Sequence, residues 1–128
     1  MKMKAFDVDA NGRSTWGTAE IPFKQLSEKH AETELQDGAY WGISINQPGE
    51  PIGGGANEMH ITNQPRIVWV MSGHLDSTLQ SREIRRTATG EATCVRGIAP
   101  HHSSFAHSRD PVITLSLTFP GTDQYKFK

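Results

Sequence analysis

The chain of 128 residues is short of most things that would announce a function directly. It has one cysteine, Cys94, so an intrachain disulfide and a cysteine cluster for zinc or iron–sulfur are both excluded. It has no large excess of charge: 13 Lys and Arg stand against 14 Asp and Glu, a formal net charge of −1. That balance argues against a nucleic-acid surface and against polybasic attachment to a membrane. The longest apolar run is Ile67 to Met71, far below the roughly 20 residues that cross a bilayer as a helix. Met1 to Ala10 lacks an apolar core of the signal-peptide kind, so a cytoplasmic location is expected. Repeats, low-complexity tracts and linkers are absent, and the length suits one domain over residues 1–128.

What is present is strand pattern and punctuation. Twelve Gly and seven Pro cut the chain into short pieces. In Val112 to Phe119, Ile113, Leu115, Leu117 and Phe119 alternate with Thr114, Ser116 and Thr118, the period of a half-buried strand. Tyr40 to Asn46 alternates likewise, with Trp41, Ile43 and Ile45 opposite Tyr40, Gly42, Ser44 and Asn46. Arg66 to Met71 is apolar and β-branched and stops at the turn pair Ser72-Gly73. Leu75 to Leu79, Glu83 to Thr87 and Ala92 to Arg96 read as further strands. Phe23 to Leu35 is rich in good helix formers and predicts one short helix. Segment 47–57, with Pro48, Pro51 and Gly53-Gly54-Gly55, predicts a loop. The sum is an all-β sandwich or barrel with at most one short helix.

The candidate chemistry lies with the histidines, six in all. His60 sits in Asn57-Glu58-Met59-His60-Ile61-Thr62, and as a strand this puts Glu58, His60 and Thr62 on one face. His101, His102 and His107 form a second group, while His30 and His74 stand alone and are expected to be solvated. His60 also fits a plain barrel histidine hydrogen-bonded to Glu58 or Thr62. Cys94 reads as a small core residue, and Arg82 to Arg86 as a solvated strand face.

The spacing of these residues resembles the cupin family. The first cupin motif runs Gly, five residues, His-x-His, three or four residues, Glu, six residues, Gly. Here Gly54, His60-Ile61-Thr62, Arg66 and Gly73 hold that spacing, with Thr62 at the second His position and Arg66 at the Glu position. In the second motif Gly90 fits, Arg96 and Ile98 replace Pro and Gly, and His101, or His102 with a loop one residue longer, takes the His position. His60 is followed after eleven residues by Ser72-Gly73, and His101-His102 resembles the second-motif Gly-His, as in a group of small single-domain bacterial cupins. The resemblance covers roughly residues 5–120. It implies a single cupin domain, a double-stranded β-helix or jelly-roll barrel with a cavity.

A cupin metal site implies three His and one Glu. Two of those positions differ here, and a guanidinium opposes a divalent cation because it cannot be deprotonated. His60 with His101, His102 and His107 remains a candidate set for one divalent iron, zinc, manganese or nickel ion, with a metal-free site as the alternative. The function expected is a lyase or isomerase of a small molecule, of dehydratase, epimerase or cyclase type. His60 and His102 would move protons and Arg66 would hold developing negative charge. Glu58, Thr62, Tyr40 and Trp69 would line the substrate pocket. The alternatives are a metal-dependent oxygenase, or a binding module in which Tyr40, Trp41, Trp69 and the histidines hold a ligand without turnover. A homodimer is compatible with a fold of this kind, whose edge strands must be covered or blunted.

Overall fold

A computed structural model describes residues 1–21, 23–32, 40–47, 51–52, 59, 65–96, 100–104 and 109–118. Among the described residues twelve strands follow one another: β1 Lys2–Val8, β2 Ser14–Glu20, β3 Lys24–Ser27, β4 His30–Glu32, β5 Tyr40–Asn46, β6 Pro51–Ile52, β7 Arg66–Ser72, β8 His74–Leu79, β9 Ile84–Ala88, β10 Ala92–Val95, β11 His101–Ser104 and β12 Val112–Thr118. Among the described residues there is no helix.

Six strands form one sheet in the order β2-β1-β10-β7-β12-β5, and four form a second in the order β6-β11-β8-β9. All pairings are antiparallel except β1 with β10, where Lys4 lies beside Thr93 and Ala5 beside Cys94. Period-two alternation divides each strand between two faces. On the inner face of the large sheet Phe6 and Val95 pack with Leu79, and Val70 and Val112 pack with Leu75, so β8 of the small sheet lies across it. On the outer face Met3, Ala5, Ala19, Ile67, Ala92 and Cys94 form a separate apolar layer, joined by Trp69 and Leu117. Gly73 turns β7 into β8 with φ of 71°, a left-handed conformation that a side chain would strain.

The strands expected at 40–46, 66–71, 75–79, 83–87, 92–96 and 112–119 are present within a residue or so of those bounds. The helix expected over 23–35 is not. Lys24–Ser27 and His30–Glu32 pair as a separate two-stranded hairpin, and residues 33–35 lie outside the described residues. The helix formers there have no apolar stripe to dock, and β3 is exposed throughout. The Ser27 hydroxyl accepts from the Lys29 amide at 3.4 Å, and the Gln25 amide donates to the Ser27 carbonyl, side-chain bonds that favour a turn over a helix. The loop expected over 47–57 contains one short exception: Pro51–Ile52 pair with Ser104 and Ser103 of β11. Of 57–62 only Met59 is described, and it belongs to no strand.

At the corner between the sheets, the Thr87 and Thr93 hydroxyls meet at 2.5 Å, and both residues are fully buried. Removing one partner leaves a buried hydroxyl unpaired, which costs about 1–3 kcal/mol, whereas removing both leaves none. Thr87→Val is therefore expected to lower unfolding free energy by about 2 kcal/mol, and the Thr87→Val, Thr93→Val pair by less than the single change. Urea unfolding of the three proteins measures both.

Candidate functional site

The register places one continuous row of side chains across the inner face of the large sheet. Val95 pairs with Arg66, Arg66 with Thr118, and Thr118 with Tyr40; continuing the β1–β10 pairing by one residue sets Phe6 beside Val95. The next rows towards the middle of the barrel are Val68, Ser116 and Gly42, then Val70, Thr114 and Ser44. Thr114 is buried and its hydroxyl lies 2.7 Å from that of Ser44. The β5–β12 side of the interior is thus lined with hydroxyls, and the β1–β10 side with Phe6 and Val95.

Lys4, two residues before Phe6 on the same face, is held by Glu91 at 3.1 Å, and Arg66 is a second cation of this face. It is half-buried, and its Nε is shielded from solvent with no hydrogen-bond partner. Three other arginines differ. Arg86 grips Asp76 with Nε at 2.8 Å and Nη2 at 3.0 Å, Arg96 reaches Asp7 at 2.7 Å, and Arg85 reaches Glu83 at 2.7 Å. Among the described residues no carboxylate pairs with Arg66. An enclosed guanidinium N–H without a partner is costly.

His101 also faces inward. It is buried, its ring centroid is 4.6 Å from that of Phe6, and its strand position pairs with Leu79. Phe6 and Arg66 stand two strands apart, about 10 Å at ~4.8 Å per strand. His102 pairs with Thr78, one residue out of phase with His101. His60, His107, Glu58 and Thr62 lie outside the described residues. Tyr40 shares the row of Arg66 and is exposed, at the edge of the sheet. Trp69 differs from its expected place in the pocket: its position in β7 is on the outer face, where it packs against the Met3–Ala5–Cys94 layer. The solvated place expected for His74 is corrected in part, because its Nε2 is buried without a partner; His30 is exposed. The roles of Thr118, Ser116 and Ser44 were not expected. Their alternation is visible in the sequence, but the register that sets them beside Arg66 is not.

Among the described residues no three His, Cys, Asp or Glu side chains converge as a metal site would require. Of the candidate ligands only the side chain of His101 is described, and its ring lies tilted against Phe6. Arg66 adds a fixed positive charge to the same interior. The described donors do not make up a divalent-metal set.

Cys94 lies on the outer face, buried, and burial pushes its thiol up to about 11, opposed in part by Arg96. An unfolded cysteine ionises near 9. Between those values the unfolded chain releases a proton that the folded chain keeps, so stability falls as pH rises from about 9 to about 11. Denaturant titrations of the native chain and Cys94→Ala are expected to diverge across that window, with the steeper fall in the native chain.

No family model matches the chain, and no curated protein matches it. Solved structures do. A cupin protein from Bacteroides fragilis is similar with a TM-score of 0.52 at 17 % identity, over 83 % of this chain and 91 % of that one. The cupin domain of an XRE-family transcriptional regulator from Enterobacter cloacae is similar at 0.50 and 23 % identity, over 65 % and 82 %. The DMSP lyase DddQ from Ruegeria pomeroyi DSS-3 is similar at 0.54 and 14 % identity, over 70 % of this chain and 42 % of the lyase, so the match spans less than half of that enzyme. At these identities the likeness is one of fold.

Proposed function

From this cupin-like, all-β fold we propose that the barrel binds a small molecule carrying a carboxylate, and that the protein is a lyase or isomerase acting beside that carboxylate. The observation that carries the reading is the inward Arg66 with its shielded, unpaired Nε. A guanidinium offers two parallel N–H groups to a carboxylate, which is the geometry that fixes a small acid in one orientation. One unpaired interior cation matches one negative charge. The hydroxyls of Thr118 and Tyr40 lie in the same row and are suited to the polar remainder of the ligand.

Loss of a proton from carbon next to a carbonyl or carboxylate spreads negative charge onto its oxygens. Arg66 neutralises that charge as it develops, and the guanidinium stays protonated throughout. The proton carrier in this reading is His60, six residues ahead of Arg66 in the chain, with His101 or His102 as the second. Structural similarity to DMSP lyases agrees with a lyase carried on this fold. A cytoplasmic location belongs to the same proposal; among the described residues no helix is long and apolar enough to cross a membrane.

One observation favours a second reading, a binding module without turnover. The one described inward histidine, His101, lies tilted against Phe6, whose strand is two strands, about 10 Å, from that of Arg66.

Succinate serves as the probe, with sodium chloride of equal ionic strength as the reference. The native chain is expected to melt several degrees higher in succinate. Arg66→Gln should lose that rise, and in chloride it should melt at or above the native temperature, because a costly enclosed charge is gone. His60→Ala should keep the rise if His60 moves protons rather than holding the ligand. Equal rises in the native chain and Arg66→Gln, or no rise in the native chain with any small carboxylate tried, would overturn the reading.

A further inference from the structure

The inward positions Thr114, Ser116 and Thr118 of β12 carry hydroxyls, and the register sets them beside Ser44, Gly42 and Tyr40 of β5. An interior that is filled by its own side chains takes apolar groups at such positions, as Phe6 and Val95 do on the β1–β10 side. Along β12 the sense is reversed, and Leu115 and Leu117 take the other face. Thr114 and Ser44 satisfy one another, with their hydroxyls 2.7 Å apart. Ser116 and Thr118 are half-buried, and among the described residues neither hydroxyl has a hydrogen-bond partner. Gly42, opposite Ser116, leaves room: a Cβ at this position would meet nothing within 4 Å. Tyr40, Gly42 and Ser44 are exposed, so the lane of hydroxyls opens to solvent along the β5 edge.

We infer that this lane receives the chain of a polyhydroxylated carboxylate, an open-chain sugar acid by chemical class, whose carboxylate sits on Arg66. The inference rests on the pairing of Arg66 with a carboxylate and adds the character of the rest of the ligand. Three features select that class. Charge is the first. The two rows beyond Arg66, Ser116 with Val68 and Gly42 and then Thr114 with Val70 and Ser44, hold no cation. A second carboxylate or a phosphate would lose its hydration there without a counter-charge. Hydrogen-bonding character is the second. A Ser or Thr hydroxyl both donates and accepts, and so does a hydroxyl of the ligand, so each satisfies the other in either sense. A bare alkyl chain would cover Ser116 and Thr118 and leave both unpaired. Length is the third. Successive rows are two residues apart, about 7 Å. A chain anchored at Arg66 therefore passes Thr118 and reaches Ser116, and the space beside Gly42 takes its substituents.

Titration calorimetry on the full chain with gluconate and with hexanoate tests this, since the two share a six-carbon chain and a single charge and differ in hydroxyls. Gluconate is expected to bind about tenfold tighter than hexanoate, or more. Ser116→Ala should lower the gluconate affinity about tenfold and leave that of hexanoate as it is. Gly42→Val, which fills the space beside Ser116 with a good strand former, should weaken gluconate more than succinate. Ile43→Thr, on the outer face, should change none of these. Equal affinities for gluconate and hexanoate, in a native chain that still responds to succinate, would overturn the inference, with water alone in the lane, and leave the pairing of Arg66 with a carboxylate intact. A preference for gluconate that survives both Ser116→Ala and Gly42→Val would overturn it as well. No response of the native chain to succinate, gluconate or hexanoate would remove both readings together.

Discussion

Phe6 is the residue on which the inside of this protein is defined. Its ring sits where the two sheets meet, packed with Leu79 and Val95, edge-on to Trp16 at 5.2 Å and tilted against His101 at 4.6 Å. Because strands alternate, placing Phe6 inward places Arg66, Thr118 and Tyr40 inward as well, through four successive pairings. A slip of one residue between Phe6 and Arg66 would turn Arg66 outward and send Ile67 and Trp69 into the barrel. The guanidinium therefore stays inside because the packing around it over-determines the register, and no ion pair of its own is needed to hold it there.

The distribution of polarity at the β5 side follows from the same constraint. A barrel whose interior is wholly filled buries its apolar face, as the β1–β10 side does. Along β12 and β5 the pattern is reversed: Thr114, Ser116, Thr118 and Ser44 face inward, and Leu115, Leu117, Trp41, Ile43 and Ile45 face outward. Hydroxyls and a cation whose Nε has no partner among the described residues suit an interior that receives a polar guest.

Much of this was legible in the sequence, and the exceptions have physical causes. The bounds of β5, β7 and β12 could be read because β-branched and aromatic residues alternate there without interruption. Which face was inside could not be read, because alternation is symmetric and the apolar half of β12 turned out to be the outer one. Lys24 to Glu32 read as helix because propensity is a local property, while the hairpin is set by side-chain bonds at Ser27 and by the lack of any face to bury. Arg66 could be singled out by its place in the motif spacing. That its Nε lacks a partner among the described residues is a statement about every neighbouring strand, and no single segment holds that information. The sequence favours His102 as a proton carrier, yet His101 is the one in phase with the inward Leu79 and packed against Phe6, and adjacent residues of a strand cannot share a face.

The most direct measurement of the central claim is a nitrogen–proton correlation spectrum of the arginine side chains, with the Arg66 Nε–H identified by its loss in Arg66→Gln. An enclosed, unpaired N–H gives a resonance that exchanges slowly with water and moves on titration with succinate, while those of Arg86 and Arg96, already held by Asp76 and Asp7, stay in place. An Arg66 resonance lost to fast exchange, or one that no carboxylate moves, would contradict the account.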